Sequence, residues 1–352
     1  MVPSDSPRAC DGMSQGLFPP LVEMAAGYFR SRALCAAARL GVADAIGDGR
    51  SSVDELAAAC QADPASLHRL LRALASFGVV LESAPGKFVL TPLGAPLRKD
   101  APDSVWAAVV FWADLLAGNW AYLTECVRTG KNASEIMKSE GVQSPFTKDP
   151  QAGAIFRAVM GTGPAENYAP IARAWDFSKA RVVADLGGGG GTLILAILKT
   201  YPEVRGMLVD RQEAVDRAAP YFAAETVAPR CTLVGGDLKE AVPAGADVHI
   251  LKHVLHGFTD DAAVGMLRNS RAALPADGTL LVVEFVLPDL FNYVDKELEG
   301  RVMSDLNMMA VTGGKERSAD EWKRLLPKGG FEVKRIVAVP GDSVSIIEAV
   351  PS

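Results

Sequence analysis

The sequence predicts an α/β protein, a doubly wound parallel sheet preceded by a smaller, mostly helical unit. Three observations predict it. Strand and helix patterns alternate from residue 181 to 284, an order that builds a parallel sheet covered on both faces. Within that alternation an apolar run leads through Asp185 and Leu186 into five consecutive glycines, 187–191, and on into an apolar helix pattern from Thr192. Upstream, residues 21–90 follow the order helix, turn, helix, hairpin, which is that of a winged helix.

Apolar residues recur at helical spacing from 21 to 45, until turn residues at 48–52 break the pattern. Asp54 and Glu55 after Ser52 open a helix that runs to about 61, and Asp63 with Pro64 opens the next, over 65–76. Two short strands, 79–82 and 87–90, flank Pro85 and Gly86. Residues 102–177 read as mostly helical and aromatic-rich, a linker between this region and the glycine turn. The elements expected beyond it are a strand near 181–185, helix 192–200, strand 205–210, helix 212–225, strands 231–234 and 247–251, helix 260–273 and strand 279–284. With 352 residues the chain exceeds the size at which one core stops growing. Domains are therefore expected at 1–101 and 102–352.

Apolar residues make up 49% of the chain and charged residues 22%, as in a soluble globular protein. A net charge of -6 without a basic tail argues against a general nucleic-acid binder. His68, Arg69 and Arg72 could read DNA from the second helix of a winged helix, yet leucines at 67, 70, 71 and 74 commit much of that helix to packing. Cys10, Cys35, Cys60, Cys126 and Cys231 are scattered and odd in number, so neither a disulfide framework nor a zinc site is expected and a reducing cytoplasm fits. Residues 1–18 lack the basic start and apolar centre of a signal peptide. Asp114 stops the longest apolar run well short of a membrane span.

Glycine alone takes positive φ without steric cost and leaves no Cβ between backbone and ligand, so the 187–191 turn suits a cofactor lying on the chain. Nicotinamide binding would need glycine or alanine at Thr192, Leu193 or Ile194, and a phosphate loop would need a glycine-lysine pair; both patterns fail. What fits is an acid followed by alternate glycines: Asp185, Gly187, Gly189 and Gly191, the pattern of proteins that bind S-adenosylmethionine. The acid suits that ligand's cationic amino group. Asp210 ends the next strand about 20 residues on, where doubly wound sheets bind ribose hydroxyls. Asp237 ends the third strand, placed to accept from an adenine amino group. Each acid alone could be no more than a helix or turn cap; three in register with the turn favour the cofactor.

Further motifs follow in order: 251–256 with His253 and His256, 281–288 with Glu284, and 313–317 with Glu316. With them the chain resembles, over nearly its whole length, the S-adenosylmethionine-dependent O-methyltransferases of the caffeate, acetylserotonin and bacterial antibiotic-pathway type. The resemblance implies a Rossmann-like methyltransferase domain, an N-terminal winged helix that serves dimerisation, and a homodimer. Carried across by position, it implies that His256 is the catalytic base and that Glu284 and Glu316 flank and orient it. It implies that Lys252 contacts the cofactor through its backbone and that Leu238 packs on adenine. Phe156 and Met160 match positions that line the acceptor pocket, to which the 102–177 linker would contribute, with Asn307 and Met308 as further candidates on the helix before the glycine pair.

The chemistry gives the base a reason. A phenol with a pKa of ~10 is protonated at neutral pH, and an imidazole titrating near ~6.5 can take its proton as the oxygen attacks. A carboxylate on the other ring nitrogen would fix the tautomer and stabilise the imidazolium. Otherwise His256 is a loop histidine ahead of a helix opened by Thr259, and His253 is its nearest rival. His253, His256 and Asp260 would suggest a metal only if the three-residue gap fell on a helix; no metal is expected. Gly257 stands where plant members carry an acid and Phe258 where they carry tryptophan, and 309–313 is one residue shorter. These departures favour a bulkier ring system and the bacterial natural-product members. The reading is O-methylation of a phenolic or enolic hydroxyl. Its alternatives are a relative that uses S-adenosylmethionine for hydroxylation, decarboxylation or a pericyclic step, and a winged-helix DNA-binding regulator.

Overall fold

The structure is a computed structural model that describes residues 19–160, 165–291 and 295–352. The expectations for residues 1–18, Cys10 among them, lie outside the described residues. The chain divides into two compact units, Met1–Leu115 and Leu116–Ser352.

In the first unit the single helix expected over 21–45 is two, Pro20–Leu40 and Val42–Gly47. Gly41 separates them with φ 71, a left-handed cap that returns its N–H to Ala37 and Ala38 carbonyls. Helix Val53–Cys60 opens on a reciprocal box in which Ser52 and Glu55 satisfy each other's backbone N–H groups. Helix Pro64–Ser76, capped by Asp63, buries Leu67, Leu71 and Leu74. Strands β1 (Val80–Ala84) and β2 (Lys87–Leu90) close an antiparallel hairpin behind it, completing the winged-helix order. Helix Trp106–Val110 and the π-helical stretch Phe111–Leu115 group with this unit. Trp106 Nε1 donates to the Ala38 carbonyl at 2.9 Å, and Arg39 Nε reaches Asp114 at 2.9 Å.

The second unit is built on β3 (Val182–Leu186), β4 (Arg205–Asp210), β5 (Cys231–Gly235), β6 (Val248–Lys252), β7 (Thr279–Glu284), the two-residue β8 (Val286–Leu287) and β9 (Arg317–Ser318), β10 (Phe331–Ala338) and β11 (Ser345–Pro351). Its main sheet runs β10-β11-β7-β6-β3-β4-β5. Strands β7 to β5 are parallel, while β11 lies antiparallel to β7 and to β10. Alternate residues feed two cores: Val183, Leu208 and Ile250 face one, Ala184, Val209 and Leu251 the other. A sheet apolar on both faces must be covered on both. The chain leaves β3 toward β4 and β5, then returns to β6 on the other side. The carboxyl end of β3 is therefore the point where strand order reverses, and open α/β sheets hold their ligands there. Among the described residues no helix is long and apolar enough to cross a membrane.

Candidate active site

Asp185 sits at that end of β3, buried to 1% exposure, and its Oδ2 has no hydrogen-bond partner among the described residues. A buried polar oxygen without a partner is costly and points to a missing donor. Burial pushes the Asp185 carboxyl up to about 7, with Asp210 adding to the rise, while the Lys252 ammonium opposes it. The alternate glycines named from the sequence take positive φ: Gly187 at 74°, Gly189 at 58° and Gly191 at 74°. A Cβ on Gly188 would lie 2.5 Å from the Asp185 carboxyl carbon, so any side chain there would displace the acid. One on Gly189 would meet nothing within 4 Å, which leaves an open face over the turn. The Gly189 N–H donates to Asp210 Oδ2 at 2.8 Å and the Arg211 N–H to Oδ1 at 2.7 Å, fixing this carboxylate beside the turn with lone pairs to spare.

The orphaned acid, the open turn and the anchored second carboxylate fit a ligand with a cationic amino group and a ribose. Asp237 is exposed and accepts the Lys239 N–H at 2.9 Å, while Leu238 is buried in the sheet's core. The Lys252 Nζ lies 5.0 Å over the Tyr168 ring. Burial pulls its pKa down against the pull of Asp185, Glu284 and Asp342.

Downstream of β6, His253 takes φ 50, a left-handed conformation found among described non-glycine residues only here and at Gln61. Such strain costs roughly 1–3 kcal/mol and persists where surroundings enforce it. The short turn Leu255–Gly257 then carries His256 back, so the two imidazoles stand 5.2 Å apart without sharing a helix. The expectation that their spacing could converge only on a helix is thereby corrected. Asp260 turns to Arg317 instead, at 2.8 Å.

Glu284, at the end of β7, is wholly buried. Its Oε1 accepts the N–H groups of Val254 at 3.0 Å and His256 at 3.3 Å, and its Oε2 accepts from His253 Nδ1 at 3.2 Å. The Nδ1 of His256 donates to Glu316 Oε1 at 2.8 Å and lies 3.6 Å from Glu284 Oε2. The three residues matched to catalysis are thus in one cluster. Burial works to lower the His256 pKa, but Glu284 and the bond and charge of Glu316 outweigh it, and the net shift is upward. Burial likewise works to raise Glu284, and the two histidines with the His256 N–H overcome it, holding it below the usual range.

Residues to which the sequence assigned no role hold this cluster. Ser304 Oγ donates to Glu316 Oε1 at 2.8 Å, and Asp305 Oδ1 accepts the Glu316 N–H at 2.8 Å. Arg317 is fully buried against the Trp322 ring and donates to the carbonyls of Leu255 and Phe258, each at 3.2 Å, on either side of His256. A Cβ on Gly314 would overlap the His256 carbonyl oxygen. Only the alternation of apolar and polar residues on helix Lys296–Val311 could have placed Ser304 in the sequence, and along that helix exposed, partly buried and buried residues are mixed. Asn307, on the same helix, is 6% exposed and its Oδ1 accepts from Trp120 Nε1 at 2.9 Å. Met308 is partly buried beside it, whereas Phe156 and Met160 on helix Ala152–Met160 are 42% and 50% exposed.

A sheet that reverses at an orphaned acid and an open glycine turn defines the class, a methyltransferase fold of the kind that binds S-adenosylmethionine. Comparison with known proteins narrows it. Residues 120–332 match the O-methyltransferase domain and residues 22–100 the O-methyltransferase dimerisation domain. The chain belongs to this family of S-adenosylmethionine-dependent O-methyltransferases. It is 37% identical over 331 residues to a phenazine O-methyltransferase of Lysobacter antibioticus, covering 94% of this chain and 95% of that one. It is 31% identical to a phenazine-1-carboxylate N-methyltransferase of Pseudomonas aeruginosa, over 94% and 96% of the two chains. An O-methyltransferase from neocarzinostatin biosynthesis, solved with S-adenosylmethionine and 2-hydroxy-5-methyl naphthoic acid, superposes with a TM-score of 0.80 at 29% identity, covering 96% of this chain and all of that one.

Proposed function

We propose that the protein methylates a phenolic or enolic hydroxyl of an aromatic natural product, with His256 as general base, and that it works as a homodimer. The observation that carries this is the Nδ1 of His256 held on Glu316 at 2.8 Å, which leaves Nε2 as the proton acceptor. The sulfonium methyl supplied by S-adenosylmethionine is the group transferred. Asp185 and Asp210 hold the amino and ribose groups, and the glycine turn lets the ligand lie against the backbone. Asp237 and Leu238 receive the adenine, and Lys252 contributes its backbone while its side chain balances the nearby carboxylates. Phe156, Met160, Asn307 and Met308 line the acceptor side, with Asn307 donating to an oxygen or nitrogen on the ring system.

As the acceptor oxygen attacks, its proton passes to His256 Nε2, and Glu316 and Glu284 stabilise the imidazolium that results. Alignment contributes as well: holding the reacting atoms in contact is worth on the order of 7 kcal/mol. No residue in this set requires a metal. A ring nitrogen as acceptor is the second reading, since one relative is a phenazine N-methyltransferase.

Methyl-labelled S-adenosylmethionine offered with paired hydroxy-, methoxy- and aza-phenazines and naphthoates tests the reading. Mass spectrometry is expected to show one labelled methyl on hydroxylated members and none on those whose hydroxyl is already methylated. Transfer to the methoxy compounds with an unprotected ring nitrogen would instead establish the N-acceptor.

A further inference from the structure

We propose that His253, His256 and Glu284, with Glu316 beside them, form a site for a divalent cation of the zinc class, and that its occupancy turns the base off. The Oε1 of Glu284 is tied by two backbone N–H groups, which aims Oε2 at both imidazoles, 3.2 Å from His253 Nδ1 and 3.6 Å from His256 Nδ1. One ligand atom from each of His253, His256 and Glu284 falls within 4.8 Å of the others. Zinc holds nitrogen and oxygen donors at about 2.0–2.2 Å, so a modest inward turn of one ring completes three contacts. Glu316 Oε1, 2.8 Å from the same His256 nitrogen, stands outside this group of three and holds the His256 ring and a second negative charge beside it.

Other features agree with a ligand set. Glu316 Oε2 is buried without a partner among the described residues. Ser304 Oγ and the backbone N–H groups orient the two carboxylates from behind, as outer partners orient metal ligands. Two carboxylates balance the charge of a divalent ion, and the imidazole pair selects zinc over magnesium or calcium. A way in exists at His253, whose side chain is 28% exposed while both glutamates are at 0%. The left-handed backbone of His253 is what turns its ring toward Glu284.

On binding, each Nδ1 gives its lone pair to the ion and its proton goes to Nε2 of the same ring or to water. His256 then carries hydrogen on Nε2 and cannot accept one from a hydroxyl. That second half rests on the base reading; capture of the ion does not.

The test uses tag-free, chelator-treated enzyme in mildly alkaline buffer, titrated with cobalt(II) chloride by visible absorption and with zinc chloride by calorimetry. One ion per chain is expected, with a cobalt spectrum of low-coordinate nitrogen and oxygen ligation. His253→Asn should weaken binding about 100-fold and Ser304→Ala about 10-fold, the range of lost ligand support. Turnover should fall in step with zinc occupancy and return with chelator, and whatever turnover His253→Asn retains should tolerate that zinc. Absence of saturable binding, or binding indifferent to His253→Asn, overturns the site. Stoichiometric binding with turnover intact overturns the switch and counts against His256 as base, while leaving methyl transfer in place.

Discussion

At the scale of single residues, the two most informative groups are the ones whose environments work against their ordinary titration. The chain has four histidines, so imidazole nitrogen NMR can follow His256 individually. Its pKa is held above the ordinary value by Glu284 and Glu316, and Glu316→Gln removes a charge while leaving burial in place. The midpoint should therefore move down in that variant. A midpoint that does not move, or rises, would detach Glu316 from the imidazole. His256→Ala should lower kcat by about 10²–10⁴, the usual worth of a positioned base, with the dissociation constant for S-adenosylmethionine unchanged by calorimetry. Asp185 makes the complementary case. Its carboxyl is pushed up to about 7, and a cationic amino group binds the ionised form. Affinity should then be constant above that pH and weaken about tenfold per unit below it, and Asp185→Asn should abolish this slope along with most of the affinity.

At the scale of elements, His256 is positioned by a segment that shares no sequence neighbourhood with it. Residues 313–317 put Gly314 against the His256 carbonyl, Glu316 on its ring and Arg317 on the carbonyls either side. Arg317→Lys keeps the charge but loses the planar fork. It should lower kcat and bring the His256 midpoint down, with little change in cofactor affinity; an unshifted midpoint would reduce Arg317 to a packing role.

The strands and helices between 182 and 284 were legible because each carries its period and ends in turn chemistry, so helix Thr192–Thr200 and strand Arg205–Asp210 fall where the pattern puts them. The alternate glycines were legible for a related reason, since positive φ at those positions admits few other residues. Less was visible where tertiary contacts decide. Gly41 breaks a helix whose apolar spacing continues past it. The antiparallel pair β10 and β11 was not anticipated, because β10 is an edge strand with little periodic burial. The convergence of His253 on Glu284 depends on one left-handed residue that no spacing rule foresees.

At the scale of the whole molecule, the question is what the first unit does. Helix Pro20–Leu40 leaves Leu21, Met24, Tyr28 and Phe29 at 79%, 72%, 62% and 72% exposure. Monomers seldom leave so many large apolar side chains in water along one element, and such patches mark interfaces. The unit matches a dimerisation domain, which names the partner as a second copy of the chain. Wild-type protein should sediment at twice the chain mass of 37.2 kDa. The triple variant Leu21→Glu, Met24→Glu, Phe29→Glu would bury three charges in the interface, each strongly unfavourable without a partner, and should sediment as a monomer. Asp185, Gly189 and Asp210 all belong to the second unit, so this variant should still bind S-adenosylmethionine. A dimer that survives the three charges would move the interface off this helix, and a monomer unable to bind the cofactor would show that the second unit needs the assembly to hold its glycine turn.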